Sequence, residues 1–86
     1  MHTVEMIEQL VGVAEQLGYE VRHEYLGGTG GGACEFSGRK WIFVDLALNS
    51  VEQLDQLTSA IRNDAGVHLL NLTPSLAQWL HVNRAA

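Results

Sequence analysis

The chain has 86 residues, enough for one domain with one core and too few for separate cofactor and substrate domains. Apolar residues make up 47%, the composition of a folded protein and not of a disordered tail. Ten Asp and Glu against five Lys and Arg give a net charge of −5, and the dispersed basic residues offer no clustered positive surface, which argues against a nucleic-acid partner.

The first predicted element is a helix over residues 3–17. Val4, Ile7, Leu10, Val11, Ala14 and Leu17 recur at helical spacing, opposite Glu5, Glu8, Gln9, Glu15 and Gln16. Gly18 is placed as its left-handed stop. A strand follows, YEVRHEYL, in which Tyr19, Val21, His23 and Tyr25 alternate with Glu20, Arg22 and Glu24. After a loop of glycines, residues 33–37 and 40–46 read as a hairpin turning at Gly38-Arg39. That turn pairs Phe36 with Trp41 and Cys34 with Phe43, so these four line one face. The aromatic face is assigned to the core.

A second helix spans residues 51–64, capped by Asn49 or Ser50 with Glu52 or Gln53 completing a capping box. Val51, Leu54, Leu57, Thr58 and Ile61 form its buried stripe, and Gly66 ends it. Residues 67–72, VHLLNL, read equally as a fourth strand or an extended connector. Thr73 caps a third helix with Pro74 at its first position, and Leu76, Trp79 and Leu80 form its apolar face. The expected fold is a single α+β domain over residues 1–86, in the order α-β-β-β-α-(β)-α. Its antiparallel sheet has three strands, or four if residues 67–72 join, with helices packed on one face.

Gly27, Gly28, Thr29, Gly30, Gly31 and Gly32 form the only compositionally biased segment. Gly28-x-Gly30-x-x-Ala33 matches a dinucleotide fingerprint in form, but a strand follows it where the fingerprint requires a helix N-terminus. No Lys-Ser or Lys-Thr follows the glycines either, as a phosphate loop would require. Two readings remain for this candidate binding loop: a long hairpin connection in which the glycines relieve strain or let another backbone pass close by, and a nest of N–H groups holding an anion or a partner's carboxylate.

Cys34 directly after the loop is a candidate nucleophile or redox sensor if His23 on the preceding strand reaches it; the alternative is a small buried hydrophobe. Asp45, at the end of the third strand, is the acid placed for partial burial. It reads as a hydrogen-bond acceptor for a loop or helix entry in preference to a catalytic group. His2, His23, His68 and His81 show no local ligand spacing, so no metal and no cofactor is expected.

The single cysteine excludes an intramolecular disulfide and a CxxC pair. The opening MHTVEMIEQL carries acid where a secretory leader carries base. No apolar run approaches the roughly 20 residues that cross a bilayer. A cytoplasmic setting without membrane contact is the expectation. The third strand, WIFVDL, is apolar on both faces although helices cover one. With the aromatic side in the core, Ile42 and Val44 become the candidate interface, for a homodimer or a protein partner.

The run Tyr25-Leu26-Gly27-Gly28-Thr29-Gly30-Gly31-Gly32-Ala33-Cys34, with a later strand ending Phe43-Val44-Asp45, resembles a family of small bacterial proteins of unknown function. That family shares a Leu-Gly-Gly-x-Gly-Gly-Gly-x-Cys hairpin loop, and the resemblance covers residues 22–61. It implies no catalytic residue. More distantly, the order helix, three-stranded meander, helix is similar to secretion-chaperone-like domains, and this resemblance implies a dimeric binding module. The expected function is a self-associating, non-enzymatic protein-binding or assembly module. The alternatives are a thiol enzyme or redox sensor at Cys34 and anion or nucleotide binding at the loop.

Overall fold

A computed structural model describes residues 2–28 and 30–82. Among them the order is α1 (Thr3–Gln16), β1 (Tyr19–Glu24), β2 (Gly32–Phe36), β3 (Arg39–Asp45), α2 (Ser50–Arg62), a 3₁₀ turn (Ala65–Leu69) and α3 (Pro74–Trp79). The fold is α+β, with the helices on one face of a three-stranded sheet. In α1 the buried residues are Met6, Leu10, Val13 and Ala14, while Val4 is 60% exposed. The buried stripe is thus turned from the expected one, because α1 packs against α2 as well as β1. In α2 the capping box is Asn49 with Glu52, each side chain meeting the other's backbone N–H at 2.9 and 3.1 Å. Leu54, Leu57, Thr58 and Ile61 are buried as the spacing required, but Val51 lies in the first turn facing solvent.

The sheet is mixed and not antiparallel. Its strand order is β1-β3-β2, with β3 parallel to β1 and antiparallel to β2. The chain leaves β1, crosses the end of β3 through the glycine loop, descends as β2 and returns up the middle as β3. A strand apolar on both faces belongs in the centre, which is why β3 takes it. The hairpin turns at Ser37-Gly38, both left-handed at φ 53° and 74°, the type I′ geometry that matches strand twist. Phe36 therefore faces Arg39 and Cys34 faces Trp41, two residues away from the expected register. A two-residue slip preserves faces, so Cys34, Phe36, Trp41 and Phe43 do share a side.

That side is not the core. Ile42 and Val44 are fully buried beneath the helices with Leu10, Leu57, Ile61 and Val67. The reason lies in β1: Glu20 and Arg22 stand beside Trp41 and Phe43, and covering that face would bury their charges. Ile42 and Val44 are accordingly core residues and not an interface. No fourth strand forms among the described residues. The Asp64 carboxylate instead accepts the Gly66 N–H at 2.8 Å and starts the 3₁₀ turn, which buries Val67 and leaves Leu69 outside. Thr73 and Pro74 open α3 as expected, and Leu76, Ala77 and Leu80 close the core. The Trp79 indole donates to Thr58 at 3.0 Å, and Arg62 donates to the Trp79 carbonyl, tying α3 to α2.

Candidate functional site

The helix-free face of the sheet carries a row of aromatic rings. Phe36 and Trp41 stack with centroids 5.4 Å apart and planes 8° from parallel; Trp41 and Phe43 stack at 6.0 Å and 12°. The contact across the hairpin is the diagonal one that aromatic side chains reach, and that within β3 joins residues two apart on one face. Trp41 is thus sandwiched. Its Nε1 is covered and has no hydrogen-bond partner, at a cost of about 1–3 kcal/mol. Phe36 is 53% exposed at the outer end of the row. Glu20, Arg22, Glu24 and Arg39 rim the row in pairs 3.7 and 4.0 Å apart, exposed enough to contribute little to stability. Sequence reasoning missed that this row lies outside the core, half-buried at Trp41 and Phe43 and exposed at Phe36, although the charged alternation of β1 carried the signal.

The glycine loop lies over the end of β3, and the anion held by its N–H groups belongs to the chain itself. The buried Asp45 carboxylate accepts from Leu26 at 2.9 Å, Gly28 at 2.6 Å and Ala47 at 2.9 Å. Burial pushes the Asp45 pKa up, but the three N–H donors outweigh it and hold the group below the usual carboxylate range. Gln56 completes the latch: its Oε1 accepts the Asp45 N–H at 3.0 Å and its Nε2 donates to the Gly30 carbonyl at 3.1 Å. A Cβ on Gly31, at φ +107°, would lie 2.4 Å from Gln56 Nε2 and 3.0 Å from the Phe43 carbonyl oxygen. The close-passage reading of the glycines fits this contact, and Asp45 is the hydrogen-bond acceptor its position suggested. Of the loop N–H groups that the alternative reading offered to an anion or nucleotide, that of Gly28 is taken by Asp45; Thr29 lies outside the described residues.

The structure does not bring Cys34 and His23 together. They sit on β2 and β1, with β3 between, so their backbones lie about 10 Å apart across the sheet. Cys34 pairs beside Trp41 on the aromatic face, whereas His23 pairs beside Val44 on the helix side. Both are exposed. The Cys34 thiol therefore has neither the expected histidine nor the burial of an inert core residue.

A polar cluster that the sequence did not announce lies at the opposite end of β3. Lys40 Nζ donates to Asp64 Oδ2 at 2.9 Å and to the Leu17 carbonyl at 2.8 Å, and lies 4.3 Å from the Tyr19 ring centroid. The Tyr19 hydroxyl donates to the same Asp64 oxygen at 2.8 Å. Burial, then the Asp64 carboxylate, pushes the Tyr19 phenol up to about 12. The hydrogen bonds from Lys40 and Tyr19 hold Asp64 below its usual range. A phenol this reluctant to ionise is a poor base. The cluster's evident role is to join the end of α1, the sheet and the start of the 3₁₀ turn. Among the described residues no three of His, Cys, Asp and Glu are grouped as metal ligands, and no helix is long and apolar enough to cross a membrane.

No family model, curated protein or solved structure matches this chain.

Proposed function

We propose that this chain is a non-enzymatic binding and assembly module that associates with itself at the β2 side of the sheet, where the aromatic row of Phe36, Trp41 and Phe43 reaches the edge at Phe36. The observation that carries this reading is the stacked aromatic row on the sheet face opposite the helices, half-buried at Trp41 and Phe43 and open at its outer end, where Phe36 is exposed. Sedimentation velocity across a concentration series to about 100 μM, a range suited to a small interface, tests it. A dimer is expected, weakened by Phe36→Ser with the circular dichroism spectrum unchanged. A wild-type chain that stays monomeric throughout would overturn the reading.

A further inference from the structure

Both edges of the sheet are open to solvent, and they differ in chemistry. Among the described residues β1 and β2 each pair with β3 alone. The β1 edge carries Glu20, Arg22 and Glu24, the kind of charge that discourages strand addition. The β2 edge, Gly-Ala-Cys-Glu-Phe, carries one charge and no proline or lysine, and residues 33–36 are exposed along it. Beside it runs an open groove of about 490 Å³ between Gly31, Gly32 and Ala33 on one wall and Gln56, Ser59 and Ala60 of α2 on the other.

We propose that two copies of the chain, in the self-association put forward above, pair β2 against β2 in antiparallel fashion, with the two-fold axis at Cys34. In a two-residue hairpin the closing pair, here Phe36 and Arg39, is of the hydrogen-bonded kind. Gly32, Cys34 and Phe36 then spend their backbone groups on β3, and Ala33 and Glu35 aim theirs outward. An axis at Cys34 sets Ala33 opposite the partner's Glu35, so the outward groups meet and all five residues of each strand are paired. Moving the axis to Glu35 would face two carboxylates across the junction. Moving it to Ala33 would pair Phe36 with the partner's Gly30, outside the strand.

The side chains favour the same register. Gly32 lies beside Phe43 on the aromatic face and leaves a gap there. The partner's Phe36 falls opposite Gly32, which lets an aromatic ring cover an edge glycine. The two aromatic rows then join across a continuous six-stranded sheet. A junction of five residues per strand is small, so a micromolar dissociation constant is expected.

The register makes a cross-linking pattern. Cys34 and the partner's Cys34 form a non-hydrogen-bonded pair with Cα atoms about 4.5 Å apart, within the range a disulfide spans. Full-length chain treated with copper-phenanthroline as oxidant should give a disulfide-linked dimer. In a Cys34→Ser background, Ala33→Cys and Glu35→Cys chains should link when mixed, at least about tenfold more than either alone, because only the mixture opposes two thiols at bonding distance. Equal linking in all samples, or a sedimenting dimer that shows no such pattern, overturns the edge pairing while leaving self-association standing. A chain that neither links nor sediments as a dimer overturns both.

Discussion

Asp45 is the side chain on which the loop depends. A carboxylate has the lone pairs to accept from Leu26, Gly28 and Ala47 together. An amide in its place keeps one acceptor oxygen and turns an NH₂ group towards a donor. Asp45→Asn is therefore expected to lower Tm by about 5–10 °C, read by thermal circular dichroism. The same residue sets the acid limb of stability. Asp45 and Asp64 both hold pKa values below the ordinary carboxylate value in the folded state. Their contribution is present above the unfolded value, about 3.9, and is lost as pH falls through the folded ones. Tyr19 has the opposite sign: raised to about 12, its contribution is complete below about pH 10 and is lost as pH rises towards its folded value. Urea midpoints should therefore hold steady between these limits and fall on both sides. Asp45→Asn should flatten the acid limb without removing it, since Asp64 still titrates.

Elements were more legible than their arrangement. The helices were readable because apolar spacing, Asn49 with Glu52 and Thr73 with Pro74 are local signals that survive in the fold. Strand order was not readable from neighbour pairing, because consecutive strands usually lie side by side, and here β3 inserts between β1 and β2. Two signals pointed the right way: WIFVDL is apolar on both faces, hence central, and the charges of β1 mark the face that helices cannot cover. The candidate site was legible only in its residues. Cys34, Phe36, Trp41 and Phe43 share a face in either register, but whether that face is inside depends on β1 and not on the hairpin. The slipped register traces to Ser37, a residue that seldom takes positive φ, which hid the true turn. That gives an element-scale expectation. Asn is favoured at the first position of a type I′ turn, so Ser37→Asn should stabilise the hairpin by about 0.5 kcal/mol, measured by urea denaturation.

At the scale of the whole molecule, 86 residues give one thin core, and a domain this size buries too little surface to hold a wide margin of stability. This chain builds its core on one side of the sheet and leaves an aromatic row on the other. In the proposed dimer a second copy would add apolar burial where its Phe36 covers Gly32. Binding that favours the folded form raises apparent stability by mass action, by about 2.7 kcal/mol when the partner is at a hundred times its dissociation constant. If association is micromolar, raising protein from well below that level to about 100 μM should lift Tm by about 10–20 °C. Phe36→Ser should keep the Tm seen in dilute solution, because Phe36 is already half exposed there, and should lose the rise with concentration. Asp45→Asn should behave in the reverse way, with a lower Tm at every concentration and the same slope, because its carboxylate secures the loop within one copy. A flat Tm in the wild type would instead mean that no second copy adds to stability over this range, and that the core beneath Ile42 and Val44 carries the stability alone.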